Sequence, residues 1–202
     1  MAARTLGFTE AKFKKWIKEG RGSGRNADYK PWTTVYDVPS LGRVHRIFGY
    51  KSQLTHHLLS DLELSVFLML EWHREVEEVR EQFPLQRDFT LSIAKEAGVS
   101  HPKVNGVNQY MSSDFLVNTT NPEEYKFVLQ AKRSEELADA RTIEKLEVER
   151  RYWEMKEVPF YVITERDIPK VITQNIDWLY PMQHQEEDLE LSLQRLEFYA
   201  HH

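Results

Sequence analysis

The chain has no cysteine among its 202 residues. That excludes disulfides and thiolate metal sites, and it suits a reducing compartment. No run of eighteen apolar residues occurs, so no membrane-spanning helix is expected. The N-terminus lacks an apolar stretch of the secretory kind, and we expect no signal peptide. Glycine and proline are sparse, at eight each, and neither gathers into a low-complexity linker. No internal repeat is visible, which argues against a solenoid. Against these absences stands a hydrophobic content of 41%, enough for a packed core.

The net charge of −5 is unevenly spread. Residues 1–51 hold 11 Lys/Arg and 4 Asp/Glu, whereas residues 52–202 hold 16 and 28. A basic segment ahead of an acidic body suggests that the first part meets phosphates. Within it, Thr9 can cap a helix that runs to Glu19, with Phe13, Trp16 and Ile17 on one stripe. The loop Gly20-Arg-Gly-Ser-Gly24 follows. Its glycines let the backbone approach another chain closely, and Arg21, Arg25 and Lys30 are the candidate DNA contacts. No Gly-Lys-Ser/Thr follows, so this is not a phosphate-cradling P-loop. A flexible linker is the competing reading.

Hydrophobic periodicity predicts strands over 33–38, 43–50 and 54–59, then a helix from Leu62 to Trp72 that is apolar nearly all round. Strands are expected over 75–83, 110–117, 125–132 and 159–164, with helices over 91–97, 135–156 and 169–180. The inner side of the 135–156 helix should carry Leu137, Ile143, Leu146 and Trp153. Trp32, Trp72, Trp153 and Trp178 read as core anchors. Helices alternating with strands in the second half predict a mixed α/β sheet.

Three pieces carry chemistry. Ser60-Asp-Leu-Glu63 opens the apolar helix, Ser113-Asp-Phe-Leu-Val117 puts an acid on a strand, and Leu129-Gln-Ala-Lys132 ends the next strand. Side chains alternate along a strand, so Gln130 and Lys132 share a face. Two acids, an amide oxygen and a lysine suit metal-dependent phosphodiester hydrolysis: hard oxygen donors hold Mg²⁺, and a cation sits beside the attacking water. Each piece has a plainer reading. Ser60-x-x-Glu63 fits a capping box, Asp114 fits a strand-end acid, and Gln130 and Lys132 fit exposed strand positions. Against the capping box, Glu63 shares a helix face with Phe67 and Leu70, where a carboxylate needs a partner. His56-His57 does not suit a metal, because strand neighbours point to opposite faces. Arg141 and Lys145 could touch DNA, but surface pairing with Glu144, Glu147 and Glu149 is the favoured reading.

The same pieces, with Lys18-Glu-Gly-Arg-Gly, Asp28-Tyr-Lys-Pro-Trp32, Gly42-Arg-Val-His-Arg46 and His56-His-Leu-Leu-Ser-Asp-Leu-Glu63, resemble the TnsA family, the endonuclease subunits of heteromeric cut-and-paste DNA transposases. Arg80-Glu-Gln-Phe-Pro-Leu85, Met111-Ser-Ser-Asp-Phe-Leu-Val117 and Glu144-Lys-Leu-Glu-Val-Glu-Arg-Arg-Tyr-Trp153 extend the likeness to about Tyr180. The resemblance implies a restriction-endonuclease-like catalytic domain of the PD-(D/E)xK class. It implies Glu63, Asp114 and Lys132 as catalytic residues, and Glu63, Asp114 and Gln130 as ligands of Mg²⁺, with two ions when substrate is bound and Mn²⁺ able to substitute. It further implies hydrolysis at the 5′ ends of the transposon, a TnsB-type transposase partner that cuts the 3′ ends, a TnsC-type ATPase regulator, and a bacterial cytoplasmic setting with no membrane. The expected organisation is a basic N-terminal extension over 1–52, the catalytic domain over 53–180 and an acidic helical tail over 181–202, shorter than the second domain of longer family members. The alternatives are a stand-alone restriction-type nuclease and a non-catalytic DNA- or partner-binding module.

Overall fold

The computed structural model describes residues 8–38 and 43–182. Most of the acidic tail expected over 181–202 falls outside the described residues. Internal contacts divide the chain into a unit ending at Ile168 and a second from Pro169.

The first unit is built on a four-stranded sheet of order β3-β6-β7-β8. β3 (Val76–Pro84), β6 (Ser112–Thr119) and β7 (Lys126–Ala131) run antiparallel, and β8 (Phe160–Ile163) lies parallel to β7. The parallel step needs a crossover, supplied by α4 (Ala140–Met155). α3 (Arg87–Glu96) and α4 pack Ile93, Ala94, Val148, Tyr152 and Trp153 against Leu116 and Val128 of the central strands. Phe115 and Val117, which alternate with Leu116, are also fully buried, so both faces of β6 are covered. α2 (Asp61–Trp72) and the hairpin of β1 (His45–Gly49) and β2 (Leu54–Leu58) contribute the second cover. A two-strand ladder, β4 (Lys103–Val104) with β5 (Val107–Asn108), leads into β6. The mixed α/β sheet expected from the alternating pattern is present.

The basic N-terminal segment lies within this unit. Thr9 caps α1 (Glu10–Lys18) by accepting from the amide of Lys12. Phe13 and Trp16 pack with Trp32 as a small aromatic core, whereas Ile17 is 55% exposed. The glycine loop serves an internal approach. Gly22 has φ +75°, and a Cβ there would meet the ring of Pro84 in β3 at 2.2 Å. The amide of Trp32 donates to the carbonyl of Gln82, and the hydroxyl of Tyr29 to that of Glu81. The loop glycines thus bring this chain's own backbone against β3.

Several local expectations differ from the structure for identifiable reasons. Residues 33–38 form turns and not a strand, because Asp37 accepts from both the amide and the hydroxyl of Thr34 and folds the backbone locally. The helix expected over 135–156 is broken. A 3₁₀ turn covers Ser134–Ala138, and Asp139, in extended conformation, caps α4 through the amide of Thr142. Ile143 and Trp72 are 47% and 42% exposed, so neither anchors the core; Trp32 and Trp153 do. His56 is fully buried and bonds Glu81 at 2.7 Å.

The second unit contains α5 (Lys170–Leu179). The Thr173 hydroxyl donates to the Lys170 carbonyl within it, and Trp178 is 72% exposed.

Candidate active site

Glu63 enters the site from the first turn of α2. Ser60, extended at φ −155°, caps that helix by accepting from the Glu63 amide at 3.1 Å. The Glu63 carboxylate folds back further than a capping box would take it. It accepts from the amide of Leu59 at 2.9 Å and from the Ser60 hydroxyl at 3.2 Å. The capping reading and the site reading therefore both hold: the cap orients the carboxylate toward the sheet.

Asp114 and Gln130 come from neighbouring strands. The Gln130 side-chain oxygen accepts from the Asp114 amide at 2.9 Å, and Asp114 Oδ2 accepts from the Ala131 amide at 2.8 Å. Lys132 follows the last residue of β7. Its Nζ donates to the Ala131 carbonyl at 2.9 Å and lies 3.6 Å from Asp114 Oδ2. The four residues singled out in the sequence thus meet at one place, and Glu63, Asp114 and Gln130 are buried there.

Two members of the site had not been picked out. Gln82 of β3 points its amide between the two acids, donating at 3.4 Å to both Glu63 Oε2 and Asp114 Oδ1. Its backbone adopts φ +47°, a left-handed conformation that costs energy in a non-glycine residue. Nothing in the local sequence signals that conformation. Glu149 of α4 is buried and accepts from the Ser113 hydroxyl at 2.6 Å, while the Trp153 indole donates to the same hydroxyl. A signal existed here: Leu146, Tyr152 and Trp153 lie at i−3, i+3 and i+4 from Glu149, which puts the acid on the apolar stripe.

The electrostatics are those of acids in excess. Burial, then the charge of Asp114, pushes Glu63 up to about 8. Burial likewise pushes Glu149 up to about 8, against the Ser113 hydrogen bond. Burial alone would lower Lys132, but Asp114, Glu149 and Glu63 outweigh it and hold the ammonium above the usual lysine range. Among the described residues no three carboxylates or imidazoles converge on one point. A cation here would draw on Glu63, Asp114 and the Gln130 oxygen, which keeps a second lone pair. The donors are all hard oxygens and the acids repel each other, so the residues fit a divalent ion of the Mg²⁺ kind.

This yields a stability prediction for metal-free protein. Folded, both acids keep their protons to about pH 8; unfolded, they release them near the ordinary glutamate value of 4.5. Between those values the folded chain binds more protons, so its stability falls as pH rises from about 4.5 to about 8. Each unit of displacement corresponds to about 1.4 kcal/mol, and the total fall should be a few kcal/mol. Urea unfolding in EDTA across that range checks this, with Glu149→Gln expected to flatten the profile. A wild-type profile parallel to that of Glu149→Gln would contradict it.

Of the candidate DNA contacts, Arg21 donates to Asp37 at 2.5 Å and to the Trp32 carbonyl, and Lys30 to the Glu19 carbonyl. Arg25 pairs with the buried Glu78 at 2.7 Å yet keeps 64% of its side chain exposed. These partners are all within the chain.

A mixed sheet that sets an acid, an amide and a lysine at adjoining strand ends, with a helix acid facing them, defines a restriction-endonuclease-like nuclease. Comparison with known proteins narrows the class. The family description "TnsA-like endonuclease N terminal" matches residues 73–165, which include Asp114, Gln130, Lys132 and Glu149. The chain is 48% identical over 194 residues to the transposon Tn7 transposition protein TnsA of Escherichia coli, spanning 96% of this chain and 71% of that protein. The chain belongs to the TnsA family and is a transposition endonuclease subunit.

Proposed function

We propose that this subunit hydrolyses the 5′-strand phosphodiester at each transposon end in a Mg²⁺-dependent reaction, two ions being bound with substrate and Mn²⁺ able to replace them. The observation that carries the reading is the convergence of Glu63, Asp114, Gln130 and Lys132 at adjoining strand ends. Bound there, Mg²⁺ would neutralise the excess acid charge and stabilise negative charge on the scissile phosphate. Glu63, Asp114 and Gln130 hold it. Lys132, kept protonated by its acid neighbours, orients the attacking water and adds positive potential at the phosphate. Glu149 holds Ser113 and so steadies the strand residue that precedes Asp114. On the DNA side, Arg25 retains an exposed guanidinium for a phosphate, whereas Arg21 and Lys30 are tied to internal carbonyls.

A TnsB-type transposase makes the 3′ cuts and joins, and a TnsC-type ATPase regulates the pair, in the bacterial cytoplasm where the DNA lies. Among the described residues no helix is long and apolar enough to cross a membrane. The test is direct. Purified protein with Mg²⁺ or Mn²⁺ and a plasmid bearing the transposon ends should stay nearly silent, and 5′-strand cutting should appear on adding the partner transposase. Cutting at a fixed site by the protein alone would identify a restriction-type enzyme. Absence of cutting in every combination would identify a binding module.

A further inference from the structure

Beside the acid cluster lies a cavity of about 310 Å³. Gln130, Lys132 and Glu149 of the site line it, together with Tyr110, Ser112 and Glu136. α4 contributes Thr142, Lys145, Leu146 and Glu149, the i, i+3, i+4 and i+7 positions of a single helix face. Lys145 is the charged member of this face that the catalytic reading leaves unused.

The arginines of α4 are neutralised on the helix. Arg141 pairs with Glu144 at 2.6 Å, Arg150 with Glu147 and Glu154, and Arg151 with Glu147. Lys145 has an acid four residues on, the spacing that ordinarily makes a helical ion pair. That acid is Glu149, and it turns inward to Ser113. Among the described residues Lys145 therefore has no carboxylate within ion-pair distance. Its side chain is exposed, and its i−4 neighbour is Arg141, a like charge that disfavours the helix unless something offsets it. Desolvation along the cavity wall, then the charges of Arg141 and Lys132, hold it below the usual lysine range. Surface pairing, the favoured reading of Lys145 from sequence, is thus not realised; for Arg141 it is. Lys132 and Lys145 are the two cations lining the opening, with Glu136 and the inward-turned Glu149 as its acids; Lys132 lies against Asp114, which leaves the Lys145 ammonium as the one positioned to meet an anion.

We infer that this cavity seats a DNA backbone phosphate next to the scissile one, with Lys145 as its cation. The inference rests on the nuclease reading and deepens it. A phosphate there would give Lys145 the anionic partner it lacks, accept from the freely rotating ammonium, and fix how far the scissile linkage reaches toward Lys132. Lys145 is thus a positioning residue: it touches a phosphate that does not react.

The test uses the reconstituted reaction with the partner transposase and native transposon-end duplexes carrying single neutral methylphosphonate linkages at successive positions around the 5′ cleavage site. One phosphate contact contributes a salt slope of about −0.9 in log–log form, or roughly tenfold in affinity near 0.1 M salt. Lys145→Gln should weaken productive binding of the unmodified duplex by about that factor and lower the salt slope by about one. Lys145→Arg should restore most of it. At one methylphosphonate position wild type should lose the same factor, and Lys145→Gln should lose nothing more there. Strict additivity at every position, or a Lys145→Gln enzyme with unaltered affinity and slope, would overturn the inference while leaving the nuclease reading intact. A wild-type protein that never cuts the 5′ strand would overturn both.

Discussion

Asp114→Asn is expected to abolish 5′-strand cleavage while the protein stays folded and the partner's 3′ cuts continue. Asparagine keeps the size of the side chain and an oxygen for the Ala131 amide, which Asp114 Oδ2 accepts at 2.8 Å. What it removes is the charge. Asp114 is the acid to which every other element of the site refers. Lys132 lies 3.6 Å from it, Gln82 bridges it to Glu63, and Gln130 accepts from its amide. A cation lacking that ligand loses several kcal/mol of transition-state stabilisation, and each 1.36 kcal/mol is tenfold in rate. The loss in rate should be about 10³-fold or more. Divalent-ion binding to the isolated protein, followed by calorimetry, should weaken in parallel, which separates a lost ligand from a lost fold. Normal 5′ cleavage by Asp114→Asn would remove Asp114 from the centre of the reaction.

Lys132→Ala should separate chemistry from metal retention. A protonated amine cannot ligate a metal, and Asp114, 3.6 Å away, favours the protonated form of this amine. Removing it leaves Glu63, Asp114 and Gln130 as donors and frees one acceptor of the Ala131 carbonyl. We expect divalent-ion affinity to be kept or slightly raised, DNA binding by the assembled transposase to be kept, and 5′ cleavage to fall on the order of 10²-fold or more. The products should then carry 3′ joins with uncut 5′ strands. Strand-specific analysis of labelled ends reads this directly. Simultaneous loss of cuts on both strands would mean that Lys132 serves assembly of the complex.

How much of this site was legible beforehand follows the range of the interactions. That Ser60 caps a helix, that Gln130 and Lys132 share a strand face, and that Asp114 sits on a strand next to theirs are all consequences of short-range periodicity and capping. The likeness to the TnsA family then tied these pieces to one reaction, and the structure brings them to one place. Glu149 was half legible, since an acid on the apolar stripe of α4 calls for a partner, but the partner, Ser113, lies thirty-six residues away. Gln82 was not legible. Its role depends on a left-handed backbone residue in the middle of a strand, held there by the tertiary packing around it.

The N-terminal segment makes the same point about charge. Its composition, 11 basic residues against 4 acidic ones in residues 1–51, established a basic segment and said nothing of who neutralises it. The fold brings Glu78 from β3 to Arg25 and closes the loop of Arg21 on Asp37. On α4 the converse happens: an acid four residues from Lys145 is drawn into the core, and the lysine is left facing a cavity.

By itself the sequence determined most of the helix and strand order, the absence of disulfides and the apolar stripes, because these depend on residue type and on spacings of two to four; the four candidate site residues came from such pieces together with the family resemblance. Only the tertiary structure decided which acids are buried together, which cations remain unpaired and which loop lies against β3. Those outcomes depend on groups tens of residues apart, brought close by sheet register and helix packing, and at such separations the sign of a charge no longer says what it will meet.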